Sequence, residues 1–161
     1  IPIGILVYSN LIIHYGIQKF YKDLKNAGAD SILIADVPLE EIKPFAVAAK
    51  KYKLHQIFLV SEYTDSERLR KIEKHASGFL YAVSALGITG VRQKLNNTAG
   101  NLVRRLKKQT KLPIMVGFGI SKPEHVKNLQ KAGANGAIVG SLLVKTHKKY
   151  IIKTLNSLKK H

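Results

Sequence analysis

Apolar runs of strand length recur six times along the chain, at Ile3–Tyr8, Ser31–Ala35, Gln56–Val60, Gly78–Val83, Pro113–Val116 and Gly136–Val139. They are near-continuous Ile, Val, Leu and Ala rather than alternating, the pattern of parallel strands covered on both faces. Between them lie stretches with apolar residues at helical spacing. Ile17, Phe20, Tyr21 and Leu24 form one such stripe, and Ile42, Phe45, Ala46 and Ala49 another. Leu69, Ile72 and Ala76 continue the series, followed by Leu102, Val103 and Leu106, then Val126 and Leu129, and a last amphipathic stretch from Leu142 to Leu158. Strands alternating with helices predict β/α units on a parallel sheet.

Asn26–Asp36 echoes Lys131–Ser141: in each, a helix stops at glycine, a short turn follows, and a buried strand ends in small residues. Glycine just past a helix C-terminus is the expected cap. The most informative strand endings are Pro113-Ile114-Met115-Val116-Gly117-Phe118-Gly119-Ile120-Ser121 and Gly136-Ala137-Ile138-Val139-Gly140-Ser141. Glycine allows close backbone approach, and a following helix start favours an anion, so two such units in succession predict a phosphate grip like that after strands seven and eight of a TIM barrel. The expected fold is α/β, a (β/α)8 TIM barrel represented by its last six units. Residues 1–161 then form a single domain, a partial barrel of units three to eight.

The chain has 161 residues, 45% hydrophobic and 23% charged, with no run of about 20 apolar residues to span a membrane. Ile1-Pro2-Ile3-Gly4 does not read as a secretory signal. The absence of cysteine excludes disulfides and thiolate metal sites, and a cytoplasmic location is expected. Lys and Arg number 27 against 10 Asp and Glu, for a net charge of +17. Lysines such as Lys19, Lys22, Lys50, Lys74, Lys107 and Lys131 are spread through helical segments without an RNA-binding or zinc signature. They read as solvated helix faces, with no specific nucleic acid partner expected and a basic binding module kept as a remote alternative.

Barrel chemistry comes from strand C-terminal ends and the loops after them. Asp36 is the carboxylate directly at a strand end, with Glu62 just beyond another. Lacking a carboxylate or histidine partner at an adjacent end, Asp36 reads as a loop organiser rather than an acid or base. The histidines, His14, His55, His75, His125, His147 and His161, read as residues on helices, before strands or at the tail. No metal-ligand spacing occurs among them. Ser84–Arg92, bracketed by Gly87 and Gly90, opens the longest connection and reads as a lid closing over phosphate.

These motifs resemble the alpha subunit of tryptophan synthase. The resemblance rests on Pro2-Ile3-Gly4-Ile5-Leu6-Val7-Tyr8-Ser9-Asn10, Ala35-Asp36-Val37-Pro38 and Tyr81-Ala82-Val83-Ser84. Gly87-Ile88-Thr89-Gly90, Gly117-Phe118-Gly119-Ile120-Ser121 and Gly140-Ser141 complete it. The last two glycine motifs are shared with other phosphate-binding barrels such as indole-glycerol-phosphate synthase, the alternative reading.

The resemblance implies retro-aldol cleavage of indole-3-glycerol phosphate to indole and glyceraldehyde 3-phosphate, a lyase step of tryptophan biosynthesis. It implies an assembly of two alpha and two beta subunits, with no cofactor in this subunit and pyridoxal phosphate in the beta subunit. By motif position, Gly90, Phe118, Gly119, Gly140 and Ser141 would hold the phosphate. Leu6, Tyr8, Leu33 and Ile138 would line the indole pocket, Tyr81 would face the reacting centre, and Thr89 would be the lid residue sensing occupancy. Asn10 and Pro38, read as loop residues, would face the beta subunit. The family's two catalytic carboxylates are expected upstream of Ile1, so the chain reads as the binding part of the enzyme and is expected to be inactive alone.

Overall fold

The structure, a computed structural model, describes residues 1–83, 95–117 and 119–159, with side chains from Thr98 onward in the helix that begins at Leu95. In chain order the elements are β1 (Gly4–Val7), α1 (Ser9–Tyr15), α2 (Ile17–Asn26), β2 (Ser31–Ile34), α3 (Lys43–Lys51) and β3 (His55–Val60). They continue with α4 (Ser66–Glu73), β4 (Leu80–Val83), α5 (Leu95–Lys107), β5 (Ile114–Gly117), α6 (Pro123–Lys131), β6 (Gly136–Ile138), α7 (Ser141–Lys145) and α8 (Ile151–Lys159). Short 3-10 turns at Leu39–Glu41 and Lys148–Tyr150 precede α3 and α8.

Two differences from the sequence reading stand out. Ser9 and Asn10 begin a helix, α1, instead of a loop, and His55 opens β3 instead of preceding a strand. In the first case the apolar run ends at Val7 because Tyr8 has extended backbone and caps the next helix.

Contacts divide the chain into two compact units, Ile1–Leu59 with Asp65–Leu80, and Val60–Thr64 with Tyr81–His161. The first holds β1, β2 and β3 side by side and parallel, the second β4, β5 and β6. In the first unit Ile32, Leu33 and Ile34 are all buried, as a strand covered on both faces requires. Tyr21 from α2 and Phe45, Ala48 and Ala49 from α3 pack on it. Tyr21 is fully buried, and its hydroxyl donates to Oε1 of the buried Gln56 at 3.1 Å. The second unit buries Leu102, Val103 and Leu106 of α5 with Ile114 and Val116 of β5.

One contact recurs at the start of the strands. Asp30 N–H donates to Ile3 O (2.8 Å), while Ile3 N–H donates to Asp30 Oδ2 (2.8 Å). Asn135 and Ile114 repeat it at 2.8 and 3.0 Å, and Ser77 and Gln56 at 3.0 and 3.1 Å. Each pair closes a small ring between the start of one strand and the residues just ahead of a neighbour, pinning the register of the parallel pair. The chain reaches that position through a helix stop in the left-handed region, at Gly28 (φ 91°) and Gly133 (φ 100°). Ala29 N–H then reaches back to Leu24 O and Ala134 N–H to Leu129 O, the six-to-one bond of a Schellman stop. After α3 the same stop is made by Lys53 (φ 55°), with Leu54 N–H on Ala49 O.

Asn135→Ala removes the acceptor for Ile114 N–H, a bond at a partly buried strand start. The expected cost is about 1–2 kcal/mol in urea denaturation, with Asn135→Asp retaining most of the stability.

Burial holds the Tyr21 phenol well above its ordinary pKa, so it stays protonated in the fold while the unfolded chain ionises near pH 10. The folded state therefore loses stability as pH rises beyond about 10. Tyr21→Phe is expected to be less stable at neutral pH but to show a shallower alkaline decline, read from denaturation midpoints between neutral and strongly alkaline pH.

Candidate functional site

In the first unit the ends of β1 and β2 are tied by Asp36. Its Oδ1 accepts from Ser9 N–H at 2.7 Å and its Oδ2 from the Ser9 hydroxyl at 3.0 Å. The carboxylate lies at the first residue of α1, where negative charge is favoured, and its oxygens are engaged in holding two loops together. Leu6 and Leu33 are register partners and therefore share a face of the sheet. Tyr8, two residues after Leu6, continues that side. Leu33 is buried, whereas Leu6 and Tyr8 are 57% and 58% exposed, and Leu11 of α1 adds a further exposed apolar side chain. Asn10 is exposed in the first turn of α1, and Pro38 is exposed just ahead of the Leu39–Glu41 turn.

In the second unit β5 and β6 pair Met115 with Gly136, Val116 with Ala137 and Gly117 with Ile138. Gly119 and Gly140 each lie two residues beyond the last pair, so the register brings both strand ends level. Gly119 has φ 67°, a backbone that disfavours any side chain. A Cβ at either Gly119 or Gly140 would meet nothing within 4 Å, and both glycines are exposed. Gly140 caps α7, whose first residue is the exposed Ser141. Phe118, and the lid motif with Thr89 and Gly90, lie outside the described residues.

Two interior glycines, Gly117 and Gly136, make room for side chains from neighbouring strands. The Tyr81 ring and hydroxyl from β4 occupy the place a side chain on Gly117 would take. A Cβ on Gly136 would come 2.5 Å from Met115 Sδ. Each glycine thus admits a large side chain from the preceding strand, the close approach that a strand glycine signals. Tyr81 remains half-buried, and burial raises its pKa, keeping the phenol neutral and able to donate a hydrogen bond. Ile138, partner of Gly117, shares the face on which the ring lies.

The loop after β3 is held by a residue with no sequence signal. Arg105 of α5 donates from Nη1 to Thr64 O (2.7 Å) and from Nη2 to Ser61 O (3.0 Å) and Glu62 O (3.3 Å). This grip fixes the backbone beside Glu62, the second strand-end carboxylate. Among the described residues, no group of His, Asp or Glu is gathered to hold a metal, and no helix is long and apolar enough to cross a membrane.

A family model described as tryptophan synthase alpha chain matches residues 1–161. The tryptophan synthase alpha chain of Methanothermobacter thermautotrophicus is 49% identical over 144 residues, which cover 89% of this chain and 53% of that protein. That of Helicobacter pylori strain Shi470 is 43% identical over 145 residues, covering 90% and 55%. The chain spans about half the length of these curated relatives. The tryptophan synthase A-subunit of Pyrococcus furiosus superposes with a TM-score of 0.90 at 36% identity, over 98% of this chain and 66% of that one. A chain of the a2b2 complex from the same organism gives 0.91 at 38% identity, with the same coverage. The β/α units described above have the fold of these alpha-subunit TIM barrels.

Gly117→Ala is expected to displace Tyr81 and to destabilise the chain by about 1–3 kcal/mol through overpacking. Tyr81→Ala in the same chain should relieve that clash. A double-mutant cycle by urea denaturation is expected to give a coupling of at least about 1 kcal/mol, and strict additivity would separate the two residues.

Proposed function

Because the chain belongs to the tryptophan synthase alpha chain family, we propose that it serves the cleavage of indole-3-glycerol phosphate to indole and glyceraldehyde 3-phosphate, in the cytoplasm. The observation that carries this reading is the level pair of open glycines, Gly119 and Gly140, after two adjacent parallel strands. Exposed backbone N–H groups without Cβ obstruction suit a phosphate ester. Ser141 adds a hydroxyl, and by motif Gly90 and Phe118 join them.

The retro-aldol step breaks the bond between indole C3 and the glycerol chain. C3 takes up a proton so that indole can leave, and the hydroxyl on the adjacent carbon gives one up as it becomes the aldehyde. No described residue is assigned either transfer. Asp36 is the loop organiser, its two oxygens occupied by Ser9. Tyr81 offers a neutral phenol toward the reacting centre, and Thr89 belongs to the lid by its motif. By motif position, the apolar side chains assigned to the indole ring are Leu6, Tyr8, Leu33 and Ile138. This chain therefore binds and orients, and alone it is expected to release no indole.

The proposed partner is the tryptophan synthase beta subunit, in an assembly of two alpha and two beta chains, with pyridoxal phosphate held by beta. Asn10 adjoins the exposed Leu11, and exposed apolar surface of this kind suits a protein partner. Pro38 is the second residue assigned to that contact.

The test is calorimetric titration of the chain with glycerol 3-phosphate. Binding is expected for the wild type and abolished in Gly140→Asp, whose carboxylate would occupy the open space and repel the dianion. Unchanged affinity in Gly140→Asp would remove these glycines from the site.

A further inference from the structure

Positive charge is distributed very unevenly along this chain. Residues 1–74 carry eleven Lys and Arg against nine Asp and Glu, whereas residues 75–161 carry sixteen against one, Glu124. Nearly all of the net charge therefore falls in the second half, and charge asymmetry of this kind points to a polyanionic partner. In the first unit cations meet carboxylates, Arg68 pairing with Glu40 and Lys71 with Glu67.

In the second unit several cations line a groove of about 690 Å³ between α5 and the turn after α6. Asn101, Arg104, Lys107 and Lys108 form its α5 side, with Ala132 and Gly133 opposite. None of the lining residues is a carboxylate. Small residues make the floor: a Cβ on Gly100 would lie 3.5 Å from Arg104 Nη1 and 3.7 Å from Ala132 Cβ, and one on Gly133 would lie 3.4 Å from Lys107 Cγ. The guanidinium and the lysine stem thus lie over glycines, leaving space above.

These cations are not spent on the helix end. Arg104 donates to the Asn101 side chain at 2.7 Å, and Lys107 to Asn135 Oδ1 at 2.9 Å, neither to a terminal carbonyl of α5. Both contacts fix side-chain direction, and in each the acceptor is a neutral amide oxygen. Arg105 also lines the groove, but its guanidinium is engaged by the carbonyls of the loop after β3.

We propose that this groove is a sequence-independent binding site for a single nucleic-acid strand, its backbone phosphates held by Arg104, Lys107 and Lys108. A concave floor of glycine and alanine admits a narrow chain and offers a flat membrane no apolar residue to insert. It also presents no sheet edge to which an acidic peptide could add as a strand. Cations grouped along one groove, with the Asn101 side-chain oxygen already taken by Arg104, match a phosphodiester backbone, whose recognition rests on charge neutralisation.

The test is fluorescence anisotropy of the chain with a labelled, mixed-sequence single-stranded oligonucleotide of about 16 nucleotides. Salt is varied from about 50 to 200 mM. Three phosphate contacts predict a slope of log affinity against log salt of about −2 or steeper. Arg104→Gln with Lys108→Gln is expected to make it shallower by about 1.4, while the charge-preserving Arg104→Lys with Lys108→Arg keeps it. Lys19→Gln with Lys22→Gln on α2 removes the same charge from the first unit and should change the slope by well under half as much. Equal effects of the two charge-removing pairs would overturn the site in favour of diffuse attraction. Equal or tighter binding of a polyglutamate peptide, or of phosphatidylserine vesicles, at matched charge would overturn the assignment to nucleic acid.

Discussion

The reciprocal contact at the strand starts is the constraint on which the architecture rests. A parallel strand cannot be set by a tight hairpin, because its neighbour arrives after a helix and more than twenty residues. The rings formed by Ile3 with Asp30, Gln56 with Ser77 and Ile114 with Asn135 supply what a hairpin turn would. Each combines one backbone pair with one side-chain acceptor, so a shift by a single residue would break both bonds and turn the strand's inward face outward. The positions of Leu6 against Leu33 and of Gly117 against Ile138 follow from that register.

Register also decides what the opposite ends of the strands can do. Because Met115, Val116 and Gly117 pair with Gly136, Ala137 and Ile138, the two glycine-bearing loops leave the sheet together. Further down the strands Gly117, level with Ile138, and Gly136, level with Met115, each give up a side chain so that Tyr81 and Met115 can reach across. The proposed phosphate grip and the position of the Tyr81 phenol therefore share one cause: glycines read diagonally from strand to strand. Asp36 performs the analogous task for the ends of β1 and β2 through a charged hydrogen bond, which is stronger than a neutral one.

The uneven distribution of charge is compatible with this division. Substrate binding as proposed uses open backbone at the strand ends, whereas the Arg104 groove lies at the C-terminal ends of α5 and α6, at the other end of the β/α units. A change in one need not disturb the other, since helix ends that precede strands and loops that follow them are built from different residues.

What the sequence by itself determined is local. Apolar runs and helical stripes located the six strands to within one or two residues, and the glycine stops at Gly28 and Gly133 were legible because only a left-handed residue ends a helix that way. The strand-end residues Asp36, Gly119 and Gly140 could be named for the same reason. Their distance from an apolar run is a fact about neighbouring positions. The helix at Ser9–Tyr15 was missed because Tyr8 looks like the end of a strand until its backbone is seen to cap α1. Other features depended on residues far apart in the chain. Arg105 acts more than forty residues from the carbonyls it holds, and Tyr81 fills a space on Gly117 that no pattern around either residue records. Only the tertiary structure decided these, because strand register and side-chain approach are set by pairing between distant segments, while sequence periodicity reports no further than a helix turn or a strand repeat.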